Sequence, residues 1–283
     1  MLIVCLVVAG GLCIVDYVLL RQKSAPSNSS RICYLMKEDS KKKKWPKRLV
    51  IALIVIMLFG AGGFYAYVSD YYHAGDTALG LTQEMKTAGV LEESDQAIKI
   101  GEPQTKTGIV IYPGAKVDPY AYVPLANELS NSGYYCVIAK MPFNLAFFGI
   151  DAANSLMDSA PEIEEWWIAG HSLGGAMAAQ FASAHSDELS GVFLLAAYAA
   201  VDLSTTNLEV ELIYGSNDGV LNRTALEENA GNLPADSQTK VIEGGNHAGF
   251  GDYGPQDGDG ECMVGAQQQW QETARFLDEV IAA

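Results

Sequence analysis

The sequence predicts an α/β fold, a mostly parallel central sheet with helices on both faces, preceded by one or two membrane-crossing helices. Three observations carry that expectation. From about residue 98 onward, short continuous apolar runs alternate with amphipathic stretches, as they do when strands are buried on both faces and joined by crossover helices. The apolar run beginning near Trp166 stops at Gly170-His171-Ser172-Leu173-Gly174 and gives way to a small-residue helical pattern over 176–184, which reads as strand, sharp turn, helix. Residues 49–68 are twenty residues without a charge, the length a helix needs to cross a bilayer.

Taken in order, residues 1–20 form a first apolar stretch interrupted by Asp16, which lies near one end, where a carboxylate can reach the interface. Residues 21–48 follow with ten of the eighteen Lys and Arg, including the run Lys41-Lys42-Lys43-Lys44. Positive loops stay in the cytoplasm, so the basic loop is expected inside and everything after residue 68 outside. A basic run also suits nucleic acid, but one placed immediately before an uncharged twenty-residue span reads as a topology signal. Translation from Met36 is an alternative that leaves the same orientation. No clear small-x-small site follows the 49–68 span, so retention in the membrane is expected over cleavage.

From Leu49 onward there are eight Lys and Arg against thirty-one Asp and Glu, a net of −23. That balance excludes nucleic-acid binding and predicts repulsion from an anionic lipid surface. Of five cysteines only Cys136 and Cys262 fall in the outer domain. A disulfide between them stays open, beside the plainer reading of Cys136 as a small buried hydrophobe. No metal-ligand spacing appears, and neither a metal nor a cofactor is expected.

Residues 69–97 read as a juxtamembrane segment with a helix at 77–86. The domain proper is placed at 98–283. Strands are predicted around 98–100, at 107–112, 134–140, from 166 to the turn, 192–196, 210–214 and 239–242. Helices are predicted at 120–130, 150–158, from 173, at 224–229 and at 267–281. In such sheets ligands bind at the carboxyl ends of strands. Three polar residues stand just past such ends: Ser172, then Asp218 in Gly215-Ser216-Asn217-Asp218-Gly219, then His247 in Gly244-Gly245-Asn246-His247. Gly170-His171-Ser172-Leu173-Gly174 matches G-x-S-x-G, the strained turn that lifts a serine hydroxyl off the sheet edge, and the order serine, acid, histidine is the one that goes with it.

On these residues the chain resembles the α/β-hydrolase superfamily over about 98–283, and within it the small lidless esterases close to the dienelactone-hydrolase-like enzymes. Residues 112–119 and 245–254 resemble motifs of a membrane-anchored bacterial subgroup. Two departures stand out. Pro113-Gly114 replaces the usual His-Gly of the oxyanion loop, and Ser172 stands where dienelactone hydrolases have cysteine. The resemblance implies an α/β-hydrolase fold without a cap domain.

The roles follow from the chemistry. A serine hydroxyl is a poor nucleophile, so His247 must take the Ser172 proton while Asp218 fixes the imidazole tautomer. His73 adjoins the span, His171 lies inside the turn and should point away, and His185 lies at the far end of the following helix. Asp202 and Asp252 compete with Asp218 as the acid, each with the plainer reading of a turn-forming or solvated aspartate. A developing oxyanion needs two N–H donors. Leu173 supplies one at a helix start, and the resemblance implies Ala115 for the other. Few residues separate 200 from 210, so the pocket should be shallow, with Tyr112, Phe143, Tyr198, Phe250 and Tyr253 as candidates for its lining or for the core. The expectation is a membrane-anchored extracytoplasmic serine hydrolase acting on a small-molecule carboxylic ester or related acyl compound. Acyl transfer to another acceptor and a catalytically silent binding module are the alternatives.

Overall fold

The computed structural model describes residues 47–102 and 105–283. The first predicted span, most of the basic loop, Met36, Cys5, Cys13 and Cys33 lie outside the described residues. The chain divides into two units, residues 1–59 and 60–283. Helix α1, Lys47–Ser69, has a mean hydropathy of 2.4 over its most apolar window, none of which is buried by protein. Its length and composition suffice to cross a membrane, and its buried residue is Val68 in the last turn.

The segment 69–97 contributes to the body of the second unit. Helix α2, Asp76–Ala88, closes on Gly89 at φ 74, whose N–H reaches the carbonyls of Lys86 and Met85, and Ala78 and Met85 are buried in the core. Strand β1, Leu91–Glu93, was not expected. It pairs antiparallel with β2, Ala97–Ile100, with Leu91 opposite Ile100. Three residues with one apolar side chain are too short to show an alternation.

The remaining strands are β3 (Thr107–Tyr112), β4 (Tyr135–Ala139), β5 (Glu165–His171), β6 (Gly191–Leu195), β7 (Glu209–Gly215) and β8 (Thr239–Ile242). The sheet runs β1-β2-β4-β3-β5-β6-β7-β8, with β3 to β8 parallel and β1 and β2 antiparallel. Helices α3 (Val123–Asn131), α4 (Ala152–Asp158), α5 (Leu173–Ala184), α6 (Arg223–Glu228) and α7 (Ala266–Ile281) complete the chain. The helix predicted at 120–130 is a 3-10 turn, Pro119–Tyr122, followed by α3. Pro124 stands in the first turn of α3, where its missing N–H costs nothing.

Alternate residues of each strand feed two cores. Ile109, Ile111, Trp167, Phe193 and Ile213 pack toward α2, α3 and α7. Val110, Ile168, Val192, Leu194 and Leu212 pack toward α4 and α5. Sheet order and parallel register therefore bring the carboxyl ends of β3, β5, β7 and β8 to one edge. Residues 196–208, between β6 and β7, form neither helix nor strand, so no cap is inserted there. The disulfide left open by the sequence is not formed. Cys136 and Cys262 are both free, and burial in β4 pushes the Cys136 thiol upward.

Candidate active site

Strand β5 ends at His171, and Ser172 follows at φ 54, ψ −122 before α5 begins. A non-glycine residue held there costs about 1–3 kcal/mol and persists only where its surroundings over-determine it. They do so here. The Ser172 N–H donates to the Leu195 carbonyl at 2.9 Å, and the Ser172 carbonyl accepts from Gly175 and Ala176. A Cβ on Gly170 would collide with the Gly174 carbonyl, and one on Gly174 with the Tyr112 carbonyl. Both glycines of the motif are therefore required by close backbone approach.

The loops after β7 and β8 bring Asp218 to His247. His247 Nδ1 lies 2.9 Å from Asp218 Oδ2, and both side chains are buried. The second oxygen, Oδ1, accepts from the N–H groups of Val220 at 2.9 Å and Leu221 at 2.8 Å. Burial pushes the Asp218 carboxyl up, but the hydrogen bond and charge of His247 and the two N–H groups outweigh it, and the group lies below its ordinary value. Because a carboxylate only accepts, Nδ1 carries the proton and Nε2 is left with the lone pair. His247 Nε2 is a buried atom with no hydrogen-bond partner among the described residues. No hydrogen bond joins it to Ser172 Oγ. The competitors serve elsewhere: Asp202 caps a turn through Ser204, and Asp252 accepts from the Ala78 N–H at 2.7 Å and so fastens α2.

His171, the residue before Ser172, turns away into the core and makes contacts of its own. Its Nε2 lies 3.1 Å from the His247 carbonyl, and its Nδ1 lies 2.7 Å from Tyr122 Oη. The carbonyl can only accept, so Nε2 donates and Nδ1 accepts the tyrosine proton. Tyr122 Oη accepts in turn from the Gly114 N–H at 2.9 Å. Burial, followed by the neighbouring His247, lowers His171 well below the ordinary histidine value, against the pull of its carbonyl bond. This neutral imidazole ties the loop after β3 to the loop after β8.

The two expected oxyanion donors stand near this network. Neither the Ala115 nor the Leu173 N–H donates a hydrogen bond among the described residues. The neighbours of Ala115 are committed: Gly114 to Tyr122 Oη, and Lys116, at φ 58, to the Asn144 carbonyl at 2.7 Å. Of the five candidate lining aromatics, Tyr112 and Phe250 are fully buried in the cores. Tyr112 Oη donates to the Ile150 carbonyl and accepts from Ala153. Tyr253 is buried beside His171. Phe143 is exposed and Tyr198 half-buried.

A family model described as the alpha/beta hydrolase family matches residues 108–271, more than half of the chain. The chain belongs to the alpha/beta hydrolase family. Solved structures agree on the fold. A predicted CIB-like hydrolase from Thermoplasma acidophilum is 18% identical, with a TM-score of 0.51 over 67% of this chain and 98% of that one. A bacterial membrane phospholipase A is 13% identical, with a TM-score of 0.54 over 84% of this chain and 100% of that one. Est1E from Butyrivibrio proteoclasticus is 13% identical, with a TM-score of 0.51 over 68% of this chain and 98% of that one. No curated protein gives a significant sequence match.

Sequence reasoning missed the residues that hold this hydrolase's histidine loop. Asp259 Oδ1 accepts from Gly219 at 3.1 Å, His247 at 3.1 Å and Gly260 at 2.8 Å, while its Oδ2 accepts from Ala248 at 2.8 Å. One carboxylate thus clamps the acid loop to the histidine loop. Gln269, buried on α7, accepts from the Asn246 N–H and donates to the Asn246 carbonyl. In sequence Asp259 stands between two glycines in an acidic loop and looks like a solvated turn residue. Gln269 carries a weak signal, a polar residue on the apolar stripe of an amphipathic helix.

Proposed function

We propose that this α/β hydrolase is a serine hydrolase anchored by α1, with its domain on the extracytoplasmic side, cleaving a carboxylic ester or related acyl bond through an acyl-enzyme. One observation supports this reading above all: a buried Asp218–His247 pair leaves a partnerless basic nitrogen on a loop tied through His171 to the strained Ser172. The esterase-like structural neighbours favour an ester substrate, and the basic loop before the span favours the orientation.

The steps follow from what each group can hold. Substrate binding draws Ser172 Oγ and His247 Nε2 into hydrogen-bond reach, a contact often loose in free enzymes. Oγ attacks the carbonyl carbon as its proton passes to Nε2, and Asp218 steadies the imidazolium. The carbonyl oxygen becomes an oxyanion facing the Leu173 and Ala115 N–H groups. The bond to the leaving alcohol breaks as Nε2 returns its proton to that oxygen. Water then attacks the acyl-enzyme, gives a proton to Nε2, and releases the acid as Ser172 recovers its hydrogen.

A membrane-impermeant fluorophosphonate added to intact cells tests nucleophile and orientation together. Labelling of the native chain and none of Ser172→Ala is expected. Labelling that survives the substitution overturns the mechanism. Labelling only after lysis overturns the orientation and leaves the nucleophile standing.

A further inference from the structure

Four phenylalanines gather where the last turns of α1, inside the unit 60–283, meet the loop between β4 and α4. The Phe64 ring lies 5.2 Å from Phe143 and 6.1 Å from Phe148, and Phe147 lies 5.5 Å from Phe148. Yet Phe143 is 53%, Phe147 57% and Phe148 49% exposed. Scattered apolar residues on a surface need no explanation, but a contiguous cluster marks an interaction site. The loop is also held in this display. Phe143 and Asn144 take φ 58 and 53, a region that bulky residues rarely enter.

Position along α1 says what covers the cluster. Phe64 lies within the uncharged run 49–69 and six residues before Asp70, the first charge after it, about 9 Å along a helix axis. If α1 is in the bilayer, the ring of Phe64 is at its boundary, and the rings touching it are at the same level. Tyrosine and tryptophan concentrate at that level, and phenylalanine can seat its ring at the acyl boundary there. Exposed Tyr65 and Tyr67 accompany them. The net −23 of the chain from Leu49 onward offers anionic lipid no attraction, so the contact is apolar and suits a zwitterionic surface.

The same contacts reach the site. The Asn144 carbonyl holds the Lys116 N–H, next to Ala115. The Lys116 ammonium stands 4.6 Å over the Tyr67 ring and 3.1 Å from Asp70, and the Tyr72 N–H donates to the Lys116 carbonyl at 2.7 Å. The oxyanion loop is thus one residue from contacts with the end of the apolar helix. We propose that residues 143–148 seat in the interfacial layer of a phospholipid bilayer, and that the site takes its acyl ester from the adjoining leaflet rather than from water. This rests on α1 as an anchor and on the serine-hydrolase reading above.

The full chain in phosphatidylcholine vesicles allows a test. Phe147→Trp should add emission that phosphatidylcholine brominated on its upper acyl carbons quenches, measured against the native chain. The double variant Phe147→Ser/Phe148→Ser should hydrolyse a long-chain acyl ester dispersed in the vesicles at least tenfold more slowly, with a water-soluble acetate ester turned over as before. Added emission that is not quenched overturns the proposal whatever the enzyme does. Equal losses on both esters overturn it as well, because the loop is then structural. Quenching with no hydrolysis of either ester by the native chain keeps the membrane seat and overturns the serine-hydrolase reading and the delivery of substrate with it.

Discussion

His171 and His247 lie with ring centroids 4.7 Å apart, both buried, and differ in one respect. At the end of β5, His171 has both nitrogens engaged. In the loop after β8, His247 has Nδ1 held by Asp218 and Nε2 without a partner among the described residues. A buried polar atom without a partner costs about 1–3 kcal/mol. A fold that satisfies one imidazole completely and leaves its neighbour half-satisfied keeps that cost where a reactant can relieve it. The saturated ring then serves the architecture, and the unsaturated one is where the proposed chemistry would act.

The largest expected effect separates those two roles. His247→Gln should lower kcat on the order of 10⁶, as loss of a base acting in a triad does, with little change in Tm. His171→Gln should do the reverse. By disturbing the Tyr122 and His247 carbonyl bonds it should remove about 1–3 kcal/mol of stability, roughly 2–4 °C of Tm for each kcal/mol, with a far smaller loss of turnover. Esterase assays and thermal melts on both variants decide it. If His171→Gln is the inactive one and His247→Gln the unstable one, the contrast is broken.

The next effect sharpens the His247 side. An asparagine at 218 presents an amide N–H that Nδ1 must accept, which moves the imidazole proton to Nε2 and removes the base. Asp218→Asn should therefore reduce kcat about 10⁴-fold, while Asp202→Asn, which alters only the turn to Ser204, should change it less than about twofold. Steady-state rates of the two variants settle the matter, and the reverse ranking would move the acid to the loop after β6.

The same contrast explains what could be read in the sequence. The central strand Thr107–Tyr112, buried from Gly108 onward, was legible to the residue because burial on both faces leaves no polar position to blur it. Thr239–Ile242, by contrast, lies at the sheet edge with only Ile242 buried and carries a lysine in its run. Ser172 was legible because backbone crowding forces its flanking glycines. Asp218 was read from its place just past β7, with Asp202 after the preceding strand and Asp252 close to His247 in sequence as competitors, and the third dimension shows which of the three meets an imidazole. The partners of His171 were not legible at all. Tyr122 lies in a short 3-10 turn, and its contact spans 49 residues in sequence, so no local pattern announces it. Asp259 is hidden for the opposite reason, because a carboxylate gathering four backbone N–H groups looks in sequence like any acidic loop residue.

The smallest effect carries the contrast to carboxylates on one strand and its loop. Asp218 has two N–H groups and an imidazole to stabilise its charge and lies below its ordinary value. Glu211, in the middle of β7 and 1% exposed, has only the Gln238 N–H at 2.6 Å. Burial, with Glu209 and Asp236 adding repulsion, pushes it up from 4.5 to about 7. Between pH 4.5 and about 7 the folded chain therefore holds a proton at Glu211 that the unfolded chain has released. Stability from this group is full below pH 4.5 and is lost as pH rises through about 7. Glu211→Gln keeps an acceptor for Gln238 and cannot ionise. The variant should match the native Tm near pH 4.5 and exceed it at pH 7 and above, by roughly 2–4 °C for each kcal/mol of ionisation cost removed. Melting curves of both proteins across that range measure the difference. A gap that does not change with pH would mean that Glu211 is already ionised within the core, and that burial on β7 does not by itself distinguish a structural carboxylate from the one that serves His247.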